Sequence, residues 1–199
     1  MFFKIVYLVA QPLLRLFFRM IFFARVSGKE NILKEGGFIV SSNHKSNFDP
    51  VLIAAFLPRR MNFLAKRELF GNKFFGWFLK GVGVVPITRG NAEIGTLKAV
   101  ISLLKKGGIF TIFPQGTRTK NADISNVKPG AVMFAIKGQV PIQPVLIEGD
   151  YKPFRGVRLK FGKPIYFSEY YDKKMTQDEL YDLSVSLMKH IYGMSGENK

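Results

Sequence analysis

From residue 28 onward, short apolar runs alternate with longer stretches of helical pattern, and that alternation leaves few folds open. "GFIVSS" (37–42), "MNFLAK" (61–66), "GVVPITR" (83–89), "GIFTIFP" (108–114), "VPIQPVLIEG" (140–149) and "VRLKFGKPIYF" (157–167) read as strands. Between them, "PVLIAAFL" (50–57), "NKFFGWFLKG" (72–81), "AEIGTLKAVISLLKKG" (92–107) and "PGAVMFAIKG" (129–138) read as helices. A last helix is announced by Thr176 and Glu179 in capping-box spacing, followed by Leu180, Leu183, Leu187, Ile191 and Met194 along one face. Strands separated by helices predict an α/β domain over 28–199, with a largely parallel mixed sheet flanked by helices. No internal repeat or low-complexity segment interrupts it.

Residues 1–27 follow a different pattern. "MFFKIVYLVAQPLLRLFFRMIFFARV" is rich in Phe, Leu, Ile and Val but broken by Lys4, Arg15, Arg19 and Arg25. Its longest uncharged stretch, 5–14, is short for a membrane span. A central arginine also costs about 2.5–3.5 kcal/mol on insertion scales. A signal peptide fits poorly, since charge interrupts the apolar region and no A-x-A site follows. As a helix, the segment puts Lys4, Gln11, Arg15 and Arg19 in one sector and apolar residues over most of the rest. This pattern predicts an amphipathic helical segment lying in a membrane interface, its basic stripe toward anionic headgroups. Packing against the chain's own domain and a true span are the alternatives. Pro12 predicts a break into two segments.

The 30 Lys and Arg against 14 Asp and Glu give a formal charge of +16, which seeks anions: nucleic acid, anionic lipid or acidic substrates. Cysteine is absent, which removes disulfides, thiolate metal sites and cysteine nucleophiles. The motifs G-x4-G-K-[ST] and G-x-S-x-G are also absent. Ser41, Ser42 and Ser46 lie near a histidine, so a serine acyl-enzyme stays open. A nucleic-acid binder would account for the charge but not for the apolar N-terminus.

The chemistry-bearing stretch is "SSNHKSNFDP" (41–50), at a strand-to-helix junction on the rim where α/β proteins carry their sites. Asp49–Pro50 reads as a helix start, with Asp as N-cap and Pro at the first helical position. In a regular helix, residues five apart point about 140° away from each other. His44 and Asp49 therefore meet only if the chain between them turns. If they do, the carboxylate can fix the imidazole's tautomer and stabilise the imidazolium formed on proton abstraction. "FPQGTR" (113–118) offers Gly116 for close backbone approach and Arg118 for bidentate grip of a phosphate; a turn with a solvated arginine is the plainer reading. "AKREL" (65–69) and "VVPITR" (84–89) place Lys66, Arg67 and Arg89 at other strand ends. If these share a rim, they make one positive pocket. His190, on the terminal helix, is expected to be structural or solvated.

Four motifs in order give the chain a resemblance to the 1-acyl-sn-glycerol-3-phosphate (lysophosphatidic acid) acyltransferase family of glycerolipid acyltransferases. "NHKSNFD" carries the family's NH-x4-D block, and "KREL" with "GVVPITR" looks like the second block. "FPQGTR" is similar to the third, usually FPEGTR, and "VPIQPV" resembles the fourth. The likeness runs from about residue 26 to 165, with "KPGA" (128–131) at the usual spacing. Gln115 departs from the usual glutamate, keeping hydrogen-bonding capacity but losing the charge.

The resemblance implies transfer of a fatty acyl group from a thioester to 1-acyl-glycerol-3-phosphate, giving phosphatidic acid. His44 would be the general base and Asp49 its orienting acid. Lys66, Arg118 and Arg89 would hold the acceptor phosphate, with Gly116 and Thr117 shaping that site. No metal and no cofactor are expected. The acyl thioester, on acyl carrier protein or coenzyme A, is a co-substrate. The expected partners are that donor, the lysophospholipid acceptor and an anionic membrane surface on the cytoplasmic face of the cell membrane, with no nucleic acid. Glycerol-3-phosphate or another lysophospholipid as acceptor is an alternative, as is a non-catalytic membrane-surface lipid-binding protein.

Overall fold

The computed structural model describes residues 2–66, 71, 84–87, 93–119 and 123–196. Helix α1 (Phe2–Phe22) leads into strand β1 (Arg25–Ser27), then β2 (Phe38–Ser42), α2 (Asp49–Phe56), β3 (Met61–Lys66) and β4 (Val84–Ile87). Helix α3 (Glu93–Lys105), β5 (Ile109–Ile112), α4 (Gly130–Gly138), β6 (Ile142–Gly149), β7 (Val157–Phe161) and α5 (Gln177–Gly193) complete the described strands and α-helices. The helix expected at 72–81 lies outside the described residues.

The strands form one sheet in the order β1-β7-β6-β2-β5-β3-β4. Strands β6, β2, β5, β3 and β4 run parallel, while β7 returns antiparallel to β6 and carries β1 parallel to itself. The largely parallel α/β sheet expected from the alternation is therefore what forms. Alternation along each strand feeds a core on each face. Phe38, Val40, Ile109, Val145 and Ile147 pack with Phe18 and Phe22 of α1 and Leu52 and Ile53 of α2. Ile39, Phe110, Ile142 and Leu146 pack on the other face against α3, α4 and α5. Buried on both faces, β2 exposes no residue, as suits a central parallel strand.

Helix α5 begins as its sequence predicts. Thr176 Oγ1 accepts from the Glu179 amide at 3.2 Å, and Glu179 Oε2 accepts from the Thr176 amide at 2.7 Å. Strand β7 stops at Phe161, short of the 167 expected, because Gly162-Lys163-Pro164 follows and proline cannot donate to a ladder. Ile165 keeps only an isolated bridge to Ile142.

Helix α1 differs from expectation twice. It runs unbroken through Pro12, whose ring lies on the exposed side while contacts before and after it tie the helix to the domain. Its polar stripe also does not face outward as a whole. Gln11 Nε2 donates to the carbonyls of Ala54 and Leu57, and Arg15 Nε donates to that of Ala55 at 2.6 Å. These are the carbonyls that the end of α2 leaves without helical partners, at the negative end of its dipole. The Tyr7 hydroxyl reaches the Ala54 and Arg59 carbonyls, and burial pushes its pKa up to about 12. Arg19 remains exposed, its guanidinium 5.7 Å from the Phe56 ring centre. With Tyr7, Gln11 and Arg15 turned inward, Leu8, Val9, Leu13, Leu16, Phe17 and Met20 are left exposed. Among the described residues, no helix is long and apolar enough to cross a membrane.

Candidate active site

The loop after β2 is pinned before it reaches His44. The buried Asn43 side chain donates to the Ile147 carbonyl at 2.9 Å and accepts from the Ile147 amide at 2.8 Å, so it extends the pairing of β2 with β6. The His44 amide donates to Gln115 Oε1 at 3.1 Å, and its carbonyl accepts from the Thr119 amide at 2.9 Å. Both backbone groups of His44 are thus fixed by the segment after β5.

The chain then turns, and residues five apart meet. His44 Nδ1 lies 2.7 Å from Asp49 Oδ2. The same oxygen accepts from the amides of Lys45 at 2.6 Å and Ser46 at 2.7 Å. Asp49 Oδ1 accepts from the Tyr151 hydroxyl at 2.8 Å. These four donors suit an ionised carboxylate, which only accepts. Asp49 is not the N-cap expected from its sequence. It sits inside the first turn of α2 behind Phe48, and its carboxylate bonds backward to the loop rather than forward to the helix. The Asp49 side chain is fully buried, while that of His44 is 18% exposed. The imidazole stacks on Phe113, with centroids 4.2 Å apart and planes at 21°. Nδ1 is occupied by Asp49, and among the described residues Nε2 has no hydrogen-bond partner. One imidazole nitrogen is therefore anchored while the other has no protein partner among the described residues, a geometry compatible with general-base chemistry.

Gln115 is buried at 2% exposure below this loop. Its Oε1 accepts from the His44 amide, and its amide nitrogen lies 2.7 Å from both Thr119 Oγ1 and the Asp123 carbonyl, and 2.9 Å from the Tyr192 hydroxyl of α5. A glutamate here would set a carboxylate oxygen against the Asp123 carbonyl, two acceptors with no proton between them. The amide nitrogen has two protons to share among these three oxygens, where a carboxylate has none. Gln115→Glu is therefore expected to cost about 1–3 kcal/mol, from loss of a buried donor. A thermal or urea unfolding curve checks it, and unchanged stability would refute it.

Gly116, Thr117 and Arg118 follow in an exposed turn, Gly116 with φ of 67° and its amide donating to the Phe113 carbonyl at 3.0 Å. The Thr119–His44 bond sets this turn beside the dyad. Lys66 ends β3 at the carboxyl rim of the parallel strands. Arg67 and Arg89 lie outside the described residues, as does the Lys66 side chain. His190 is exposed on α5, in keeping with a solvated role. A cleft of about 310 Å³ opens beside the loop, with Asn43, Lys45, Glu148, Arg158 and Tyr192 on its walls. Lys45 Nζ donates to the Gly149 carbonyl across it at 2.7 Å.

Asn43 and Phe113 lie inside the stretches already singled out, but nothing in their identity signals that Asn43 bonds to Ile147 or that Phe113 stacks on His44. Tyr151 belongs to no motif. Burial and the neighbouring Asp49 charge push its phenol pKa well above the usual range, so it acts as a donor.

A strand-end histidine is paired with a buried aspartate beside a glycine turn that ends in arginine. Residues 23–148 match the Acyltransferase family model, and the chain belongs to that family. It is 34% identical over 152 residues to the 1-acyl-sn-glycerol-3-phosphate acyltransferase of Bacillus subtilis, covering 73% of this chain and 75% of the relative. The Streptococcus pneumoniae enzyme of the same name is 32% identical over 174 residues, covering 83% of this chain and 63% of that protein. Among solved structures, the 1-acyl-sn-glycerophosphate acyltransferase PlsC of Thermotoga maritima superposes with a TM-score of 0.66 at 27% identity, over 88% of this chain and 73% of that one. The family resemblance carried by the four motifs is thereby borne out.

Proposed function

We propose that the chain transfers a fatty acyl group from a thioester to the free hydroxyl of 1-acyl-glycerol-3-phosphate, giving phosphatidic acid at a membrane surface. The observation that carries this reading is the 2.7 Å pairing of His44 Nδ1 with Asp49 while Nε2 has no partner among the described residues, in a chain whose named relatives are 1-acyl-sn-glycerol-3-phosphate acyltransferases. The acceptor hydroxyl oxygen attacks the thioester carbonyl carbon as His44 Nε2 takes its proton. Asp49 stabilises the imidazolium. When the carbon–sulfur bond breaks, the imidazolium returns the proton to the leaving sulfur, so the products are the ester and a free thiol. No covalent enzyme intermediate and no cofactor enter this scheme.

Arg118, with Gly116 and Thr117 in the exposed turn near His44, is proposed to receive the acceptor phosphate, joined by Lys66 and Arg89. The donor is acyl carrier protein or acyl-coenzyme A, both acidic partners for a chain of charge +16. The exposed apolar face of α1 continues toward Phe23 and Phe154, whose rings lie 5.5 Å apart, and toward the exposed Phe48 and Val51 beside the dyad. This surface supports docking on a membrane with the site at lipid level; the cytoplasmic face of the cell membrane is the side proposed.

The test is a purified-protein assay with a labelled acyl thioester and a panel of phosphorylated acceptors. Labelled phosphatidic acid formed from 1-acyl-glycerol-3-phosphate is expected, and no transfer to that acceptor would refute the reading. In the same assay Arg118→Ala should raise the acceptor KM about 10- to 150-fold, the equivalent of a charge-assisted bond worth roughly 1.5–3 kcal/mol. Donor KM should stay unchanged. An unaltered acceptor KM would move the phosphate site elsewhere.

A further inference from the structure

We propose that Tyr151 is a positioning residue for the dyad: its hydroxyl holds one oxygen of Asp49 so that the other stays aimed at His44. The proposal rests on the acyl-transfer reading above and adds a third member to its machinery, delivered from the β6–β7 connection 102 residues along the chain.

The geometry divides the work between the two carboxylate oxygens. Oδ2 takes His44 Nδ1 and the amides of Lys45 and Ser46, whereas Oδ1 has the Tyr151 hydroxyl, at 2.8 Å, as its partner among the described residues. The terminal torsion of an aspartate is broad and roughly two-fold, so a carboxylate anchored through one oxygen can swing. A donor fixed on the second oxygen removes that freedom. Asp49 is fully buried, so water is not at hand to replace the hydroxyl.

Tyr151 can serve as a fixed donor because its ring is clasped. Phe22 lies 5.7 Å away at 78°, Phe18 6.5 Å away at 68°, and Phe48 5.6 Å away at 32°. Two of these rings belong to α1, and the same connection is tied to that helix by the Phe154 amide, which donates to the Ile21 carbonyl at 2.8 Å. The ring makes the packing contacts; the hydroxyl reaches the carboxylate. Tyr151→Phe therefore separates the two roles.

The experiment is steady-state kinetics on full-length Y151F, alone and combined with His44→Ala, with thermal unfolding of each. The expected result is a kcat lowered about 10- to 100-fold, the scale of loss for a misaimed reacting group. KM for donor and acceptor should not move, and the folded state should be retained. In the His44→Ala background, Y151F should lower the residual rate no further, because the hydroxyl acts through the imidazole. Unchanged kcat, a rise in KM alone, or a further loss on top of His44→Ala would overturn the proposal. A Y151F chain that fails to fold would do so too, by assigning the hydroxyl to the architecture. Normal turnover in His44→Ala alone would instead strike down the acyl-transfer mechanism, whatever Y151F does.

Discussion

His44→Ala is expected to lower kcat/KM for acyl transfer about 10²- to 10⁴-fold while leaving the protein folded. The imidazole is partly exposed, its chief packing contact is the stacked Phe113 ring, and the loop that carries it is held by backbone bonds and by Asn43 and Gln115. Removing the ring therefore leaves those anchors in place. Asp49→Asn is a less clean probe. It would replace a carboxylate facing four donors with an amide that brings donors of its own, against either the Lys45 and Ser46 amides or the Tyr151 hydroxyl. Loss of activity in that variant would mix mechanism with collapse of the loop. Steady-state rates and circular dichroism on His44→Ala separate the two. A folded His44→Ala protein with near-normal turnover would rule out the general-base role.

What could be read ahead of the structure follows the reach of each interaction. The pairing of His44 with Asp49 was legible because both residues fall in one short window that ends at a helix start. Capping chemistry made the Thr176–Glu179 helix start equally plain. Tyr151 was not legible, since its bond to Asp49 closes across two strands and a connection, and no local spacing encodes it. The Gln115 departure could be seen as a lost charge, but not as a fitted amide. That required the Asp123 carbonyl and the Tyr192 hydroxyl, brought in by a loop and by the terminal helix. Periodicity identified α1 as amphipathic yet misjudged how its polar side is used. A hydropathy pattern separates two faces but does not say that open carbonyls at the end of α2 will claim Gln11 and Arg15.

That inversion changes what the N-terminal helix asks of a membrane and how it should be tested. Deleting residues 2–25 would remove Phe18 and Phe22, 0% and 5% exposed, from the core. Each such burial contributes about 1.5–3 kcal/mol, so a truncated chain would report on folding as much as on lipid. Substitution on the outer face avoids this. Leu13, Leu16 and Met20 are 62%, 56% and 59% exposed and lie along one side of α1. The variant Leu13→Glu/Leu16→Glu/Met20→Glu is expected to keep its fold, since none of the three side chains is buried. If α1 lies in the interface, about 1.5–3 kcal/mol of apolar transfer per side chain is lost, so vesicle affinity should fall by more than about a hundredfold. Salt should weaken binding of the parent chain only in part, because Arg15 is engaged on α2 and, of the basic residues at 15, 19 and 25, only Arg19 and Arg25 are exposed. Turnover on acceptor embedded in vesicles should fall with the loss of binding, while turnover on a short-chain, water-soluble acceptor stays within about twofold, because the dyad's own hydrogen bonds involve no residue of this face. Flotation of both proteins with neutral and anionic vesicles, alongside the two assays, is the measurement. A triple variant that floats as the parent does would show that α1 is not the docking element.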